Sequence, residues 1–276
     1  MSKYTRSVSQ LKSVTRCGEA YRVSRLQTPR PPYRPAPWTI LGLALHEAVM
    51  AWESDDRRGS LVDRFASAYD LEVSRAWERQ PDPDLWLLPP NTKTVKAAIA
   101  NYRRRGIEKD AKLYEERCRE AEWEIMTLPD GRKALELEFS LDLNGVTVKG
   151  AIDRILWYPK LGIAAKEDLK TGGPDDESDV RQLAIYRIAA LECYKVNLTH
   201  GRYWFTKLDR PGEWVDLTRY DRQYLTEQYH ILDRMIEQGL LLPNPGKICK
   251  LCDVRPWCRE MGWLKPGEPL KREETP

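Results

Sequence analysis

The stretch VTVKGAIDRILWYPKLGIAAKEDLKTG, residues 146–172, decides the fold. Its two apolar runs are joined by Pro159-Lys160-Leu161-Gly162, in which proline presets one backbone dihedral and glycine opens the left-handed region. Upstream, residues 134–143 read ALELEFSLDL, a strict apolar–polar alternation that stops at Asn144-Gly145. Alternation with period two describes a half-buried strand, and Asn-Gly is the strongest short hairpin signal. The expectation is a three-stranded antiparallel meander over 134–143, 146–157 and a third strand ending near Lys170.

Turn positions set the register. About Asn144-Gly145, Leu143 faces Val146, Leu141 faces Val148 and Leu137 faces Ile152, so one face is apolar core. On the other face Glu136 opposes Asp153 and Glu138 opposes Ala151. About the second turn, Ile152 meets Leu169 on the core side and Arg154 meets Glu167 as an opposite-charge pair. Asp153 then lies opposite Asp168, and Ala151 opposite Lys170. Opposed residues have Cβ atoms about 4.5–5.5 Å apart, and two carboxylates at that distance repel unless a cation compensates. Magnesium or manganese suits a site of oxygen ligands. Lys170 shares the face of Asp168 and is placed to orient a nucleophile, whereas Glu167 turns to Arg154; a bulge in the third strand reverses that choice. Glu136 and Glu138 read as a solvated strand face.

Working outward, a helix over Ser9 to Leu26 carries Cys17, and TPRPPYRPAP, residues 28–37, holds five prolines and reads as an extended linker. The next helix, LGLALHEAVMAW, puts Leu41, Leu45, Val49 and Trp52 on one face. Residues 55 to 123 read as helices interrupted by PDPDLWLLPPN. The last of these, from Thr92, carries Lys93, Lys96, Arg103, Arg104, Arg105, Lys109 and Lys112. With Trp77, Trp86, Tyr102 and Tyr114 this basic helix is a candidate wall for single-stranded DNA, since cations attract the backbone and aromatics stack on bases. Glu108, Asp110, Glu115 and Glu116 support the alternative of a solvated helix equally well. After the meander come a helix over 178–193, a strand over 202–207 and a helix over 218–238. The expected class is mixed α/β, in the order helix, three-stranded meander, helix, strand. Its divisions are 1–54 (N-terminal helices), 55–130 (helical insertion), 131–242 (core), 243–262 (cysteine loop) and 263–276 (disordered tail).

The composition excludes several classes. The chain has 276 residues, 41% hydrophobic and 32% charged, and a net charge of +3 from 45 basic and 42 acidic side chains. It is neither collagen-like, low-complexity nor wholly disordered. No window approaches the roughly 18 apolar residues of a membrane span, and MSKYTRSVSQLKSVTR lacks the apolar run of a signal peptide. A cytoplasmic location is the expectation, where thiols stay reduced. In that setting Cys249, Cys252 and Cys258, spaced C-x2-C-x5-C, point to a metal or cluster. Closed sites take four ligands, and Cys17, Cys118 and Cys193 are the candidates for the fourth; spacing alone does not separate iron–sulfur from zinc.

VKGAIDRI followed by EDLKTG resembles the PD-(D/E)XK nuclease superfamily in its RecB-like branch: G-x-x-D is Gly150 to Asp153 and D-x-K-T-G is Asp168 to Gly172. Q-x-x-x-Y matches Gln182 and Tyr186, and G-x-x-x-H in LGLALHEAV places His46. SVTRCGEAYR around Cys17 resembles the N-terminal segment of the iron–sulfur members, the AddB type and the CRISPR-associated exonuclease family. The resemblance implies a restriction-endonuclease-like core and metal-dependent DNA cleavage. It implies Mg2+ or Mn2+ on His46, Asp153, Asp168 and the backbone carbonyl of Leu169, with Asp153, Asp168, Lys170, Gln182 and Tyr186 as catalytic residues. It also implies a 4Fe-4S cluster on Cys17, Cys249, Cys252 and Cys258, with zinc as the alternative. The expected activity is an exonuclease on single-stranded DNA or duplex ends, serving recombination, replication or repair, encoded by a phage or mobile element and working beside a recombination or helicase partner. The competing readings are a nucleic-acid-binding scaffold with a degenerate nuclease fold and a zinc-stabilised interaction domain.

Overall fold

The computed structural model of the chain describes residues 4–173 and 179–261. The expected tail, 263–276, lies outside these residues, as does position 178 at the start of an expected helix. Among the described residues the strands form two sheets, with helices packed on both.

The first sheet has the order β1-β4-β3, with β1 at Tyr4–Ser7, β3 at Leu135–Asp142 and β4 at Val146–Arg154. The β3–β4 register is the one the Asn-Gly turn dictates: Leu141 pairs with Val148, Leu137 with Ile152 and Glu138 with Ala151. Asn144 and Gly145 both take positive φ, 52° and 93°, as a tight primed turn requires. Leu137, Phe139, Leu141 and Leu143 are buried, and Glu138, Ser140 and Asp142 are exposed. Strand β1, which no alternation announced, runs parallel to β4 and covers its outer edge. Gly150 of the G-x-x-D motif sits under that strand, where a Cβ would stand 2.7 Å from Val8 Cγ2 and 2.9 Å from Phe139 Cζ.

The second sheet runs β2-β5-β6-β7-β8, with β9 also on β7. Here β2 is Glu124–Ile125, β5 Leu156–Tyr158, β6 Ile163–Lys170, β7 His200–Phe205, β8 Arg210–Pro211 and β9 Val215–Asp216. The turn at 159–162 keeps the expected register, with Tyr158 on Ile163 and Leu156 on Ala165. The continuous meander is not formed, however. Ile155 gives its N–H to Ala134 O (3.0 Å) and its carbonyl accepts from Met126 N (2.9 Å), so β4 leaves β6 at that residue. From Ala165 onward β6 pairs in parallel with β7, Asp168 against Tyr203 and Lys170 against Phe205. Ile152 and Leu169 accordingly belong to different apolar cores.

The helices are α1 Ser9–Arg16, α2 Gly18–Tyr21, α3 Pro37–Ser54, α4 Leu61–Arg79, α5 Val95–Arg105, α6 Lys112–Arg119, α7 Val180–Tyr194 and α8 Arg222–Glu237. The single helix expected over 9–26 is broken at Cys17, whose backbone is extended (φ −167°, ψ 112°), and ends in a π-helical turn, Arg22–Leu26. One core lies between β3, β4, α7 and α8; the other joins α3 to α6 with β5 and β6. Leu41, Leu45, Val49 and Trp52 are all buried in the second, as the helical spacing predicts. The proline-rich segment is extended but not loose. Gln80 Nε2 donates to Tyr33 O (2.9 Å), Leu87 N to Pro35 O (2.9 Å), and Arg34 reaches Leu85 O (3.2 Å) and Asp253 O (3.3 Å).

Candidate active site

Strand parity puts Lys166, Asp168 and Lys170 on one side of β6 and Glu167 on the other. Glu167 is fully buried among three guanidinium groups: Arg117 at 2.7 Å, Arg202 at 2.9 Å and Arg154 at 3.8 Å. Burial alone would raise its carboxyl, but the three cations hold it below the usual range. It is a structural hub, consistent with the expected pairing to Arg154.

Asp153 and Asp168 are not ladder partners, because β4 and β6 have separated by this point. They nonetheless face one site. The Lys166 ammonium stands between them, 3.5 Å from Asp153 Oδ2 and 3.3 Å from Asp168 Oδ1. Lys170 Nζ lies 2.6 Å from Asp168 Oδ2. From α3, His46 Nε2 comes within 3.0 Å of Asp153 Oδ1 and 3.8 Å of Glu136 Oε1. Gly42, one turn earlier on α3, admits the Thr171 hydroxyl, which would be 3.3 Å from a Cβ there.

Charge placement sets the protonation states. Burial works to raise both aspartates, but Lys166 and His46 hold Asp153 far below the usual range, and Lys170 and Lys166 lower Asp168. Contact with Asp153 raises the His46 imidazole above its ordinary value, against the opposing effect of burial. His46 Nε2 is itself shielded from solvent, with Asp153 as its near carboxylate and Glu136 as its more distant one. Two carboxylates facing one site supply the oxygen ligands that Mg2+ or Mn2+ takes, and the His46 imidazole beside them is a further metal-ligating group. His46, Asp153 and Asp168 therefore fit such an ion chemically. Among the described residues, no three His, Cys, Asp or Glu side chains are gathered closely enough to hold a metal ion as they stand.

Helix α7 adds Gln182 and Tyr186, linked by a hydrogen bond from Gln182 Nε2 to Tyr186 Oη (3.1 Å). The Tyr186 ring centre is 5.2 Å from Lys166 Nζ; burial, then Asp168 and Asp153, pushes its hydroxyl well above the usual range. Leu169 points into the helical core beside β6. Two residues at this site are not singled out by the sequence patterns. Lys166 shares the parity of Asp168 and Lys170, and that parity is the signal by which it could have been found. Glu136 reads as solvated and is exposed, yet it takes φ +49° and its Oε1 lies 3.8 Å from His46 Nε2.

The expected aromatic wall is corrected in part. Trp86 and Tyr114 are buried in the helical core and present no stacking face. Arg103 is held by Asp70 through two contacts of 2.7 and 2.8 Å, while Lys93, Lys96 and Arg104 are exposed.

Cys17 and Gly18 lie against the segment that leads into the cysteine loop. Asn244 N donates to Cys17 Sγ (3.4 Å), Gly18 N to Leu242 O (2.8 Å) and Gly246 N to Cys249 Sγ (3.4 Å). Burial pushes the Cys252 thiol up to about 11, and Cys17 and Cys249 are among the groups acting on it. Near Cys258, Arg259 and Arg22 both pair with buried Glu19. Cys118 is buried and Cys193 exposed, each far from this cluster in sequence.

A family model of the PD-(D/E)XK nuclease superfamily matches residues 5–259. The Gene 69 protein of Mycobacterium phage D29 is 32% identical over 266 residues, covering 92% of this chain and 96% of the phage protein. The Gene 69 protein of Mycobacterium phage L5 is 28% identical over 291 residues, covering 92% and 95%. No helix among the described residues is long and apolar enough to cross a membrane.

Proposed function

The chain belongs to the PD-(D/E)XK nuclease superfamily, and from that premise we propose that it is a metal-dependent DNA exonuclease of the RecB-like branch, acting on single strands or duplex ends. The observation that carries this reading is the convergence of His46, Asp153, Asp168 and Lys170 from α3, β4 and β6 on one site. The restriction-endonuclease-like α/β core supplies the scaffold. Two relatives of nearly full length are phage proteins, which supports a role in phage recombination, replication or repair.

His46, Asp153 and Asp168, with the Leu169 carbonyl, would hold Mg2+ or Mn2+, which supplies Lewis-acid polarisation of a phosphodiester. Lys170, anchored on Asp168, positions the attacking water and offers a cation to charge developing on phosphate. Gln182 and Tyr186 brace the side of the site made by α7. Lys93, Lys96 and Arg104 provide exposed cations for the DNA backbone. Cys17, Cys249, Cys252 and Cys258 hold a 4Fe-4S cluster joining the chain ends; their spacing and the contacts between residues 17–18 and 242–244 support that assignment.

End-labelled single- and double-stranded DNA, incubated with Mn2+ or Mg2+ and either wild type or Lys170→Ala, tests the reading. Stepwise shortening by wild type alone is expected. No cleavage of either substrate by wild type removes the proposal, and internal cuts in circular DNA would make it an endonuclease. Iron and sulfide assays on anaerobically purified protein separate the cluster from zinc.

A further inference from the structure

Lys166 is a fully buried lysine whose ammonium sits between the two aspartates that the nuclease reading assigns to metal binding. One oxygen of each carboxylate, Asp153 Oδ2 and Asp168 Oδ1, is directed at it. The other oxygens face elsewhere, Asp153 Oδ1 to His46 and Asp168 Oδ2 to Lys170. The ammonium is also held from behind, by the Glu167 carbonyl at 3.3 Å and the face of Tyr186 at 5.2 Å. A cation bonded to two carboxylates, a carbonyl and a π-face has every reason to stay.

Two-metal nuclease sites place their ions about 3.5–4 Å apart, bridged by shared carboxylates. The bridging space between Asp153 and Asp168 is where Lys166 Nζ lies. We propose that Lys166 is a resident cation that takes the place of a second metal, so that the site binds a single divalent ion on the side of His46. The inference rests on the metal-dependent reading of the site and specifies its stoichiometry. Lys166 is thus a positioning residue: its contacts offset carboxylate charge and keep the aspartates in place before any ion arrives.

Calorimetric titration of metal-free protein with Mn2+, paired with electron paramagnetic resonance, tests this. Wild type is expected to take one isolated ion at the aspartates. Lys166→Met, which keeps the length of the side chain without its charge, is expected to take two whose spins are coupled. Lys166→Gln serves as a second uncharged variant. Should either variant be unfolded in chelator, recovery of its circular dichroism on adding Mn2+ supports the proposal. A variant that stays unfolded with Mn2+ contradicts it. A spin-coupled pair in wild type, or a single ion in the folded variants, overturns the Lys166 inference and leaves the nuclease reading intact. Absence of any Mn2+ binding by wild type instead removes the metal-dependent reading and this inference with it.

Discussion

Arg105 Nη2 donates to the carbonyl oxygen of Thr171 at 2.6 Å, so the end of α5 grips the residue next to Lys170. Asp110, fully buried, aligns the guanidinium from 2.9 Å and also accepts the Thr206 hydroxyl. Thr206 N in turn donates to Lys170 O at 2.9 Å. Main-chain bonds on two successive residues thus clamp the strand end that presents the lysine.

Arg105→Ala releases that clamp and strands a buried carboxylate. A displacement of about 1 Å at a reacting group costs up to roughly a hundredfold in rate, so kcat for metal-dependent cleavage is expected to fall ten- to a hundredfold, with KM changed less. Stability falls by about 3 kcal/mol, because breaking a buried pair leaves a lone charge. Arg105→Lys restores the charge beside Asp110 and most of the stability, but not the planar two-sided grip. Steady-state kinetics and urea unfolding on the three proteins separate these effects, and unchanged kcat in Arg105→Ala excludes the clamp.

Neighbouring acids on β6 should fail in different ways. Glu167→Gln leaves Arg117, Arg154 and Arg202 around a neutral side chain, a loss of roughly 3–5 kcal/mol. Mn2+ affinity of the folded fraction stays close to wild type, since Glu167 faces away from the aspartates. Asp168→Asn loses Mn2+ binding, and stability falls as well because Lys166 and Lys170 lose a buried carboxylate partner. Calorimetry and urea melts read both; equal Mn2+ loss in the two variants would contradict the strand parity.

Gly18→Ala tests the junction of the chain ends. A Cβ at this position would lie 2.6 Å from Leu241 C and 2.7 Å from Leu242 N, main-chain atoms that cannot rotate away. Overpacking of this kind costs about 1–3 kcal/mol, and the strain falls beside Cys17. A lowered melting temperature with weakened visible absorbance of the proposed cluster is the expected pair of changes. Normal melting would show that the 241–242 segment shifts freely.

Cys118 carries a pH signature. Burial, reinforced by Glu53, pushes its thiol from 9.0 up to about 11. The folded chain therefore keeps the proton that the unfolded chain releases first. Its contribution to stability is whole below pH 9.0 and is lost as the pH rises through about 11. Denaturant midpoints of wild type and Cys118→Ala should converge or cross over that interval. At pH 8, iodoacetamide should label exposed Cys193 in the native protein and spare Cys118; rapid labelling of Cys118 rules out this burial.

Features governed by local rules are legible in the amino-acid order alone. Asn144-Gly145 and the turn at 159–162 set two registers correctly, because turn type and side-chain alternation are properties of adjacent residues. The face of β6 that carries Asp168 and Lys170 was legible for the same reason, and so was the buried stripe of α3. The proximity of Asp153 and Asp168 was anticipated through the wrong intermediate, a ladder that the structure does not contain. Tertiary structure decided the rest through bonds between segments distant in sequence. Ile155 bonds to Ala134 and Met126 and draws β4 off β6, which opens the space that Lys166 fills. The packing of α3 places His46 beside Asp153 and within 3.8 Å of Glu136. Alternation patterns carry no record of such long-range hydrogen bonds, so the charge between the two aspartates became visible only in the folded chain.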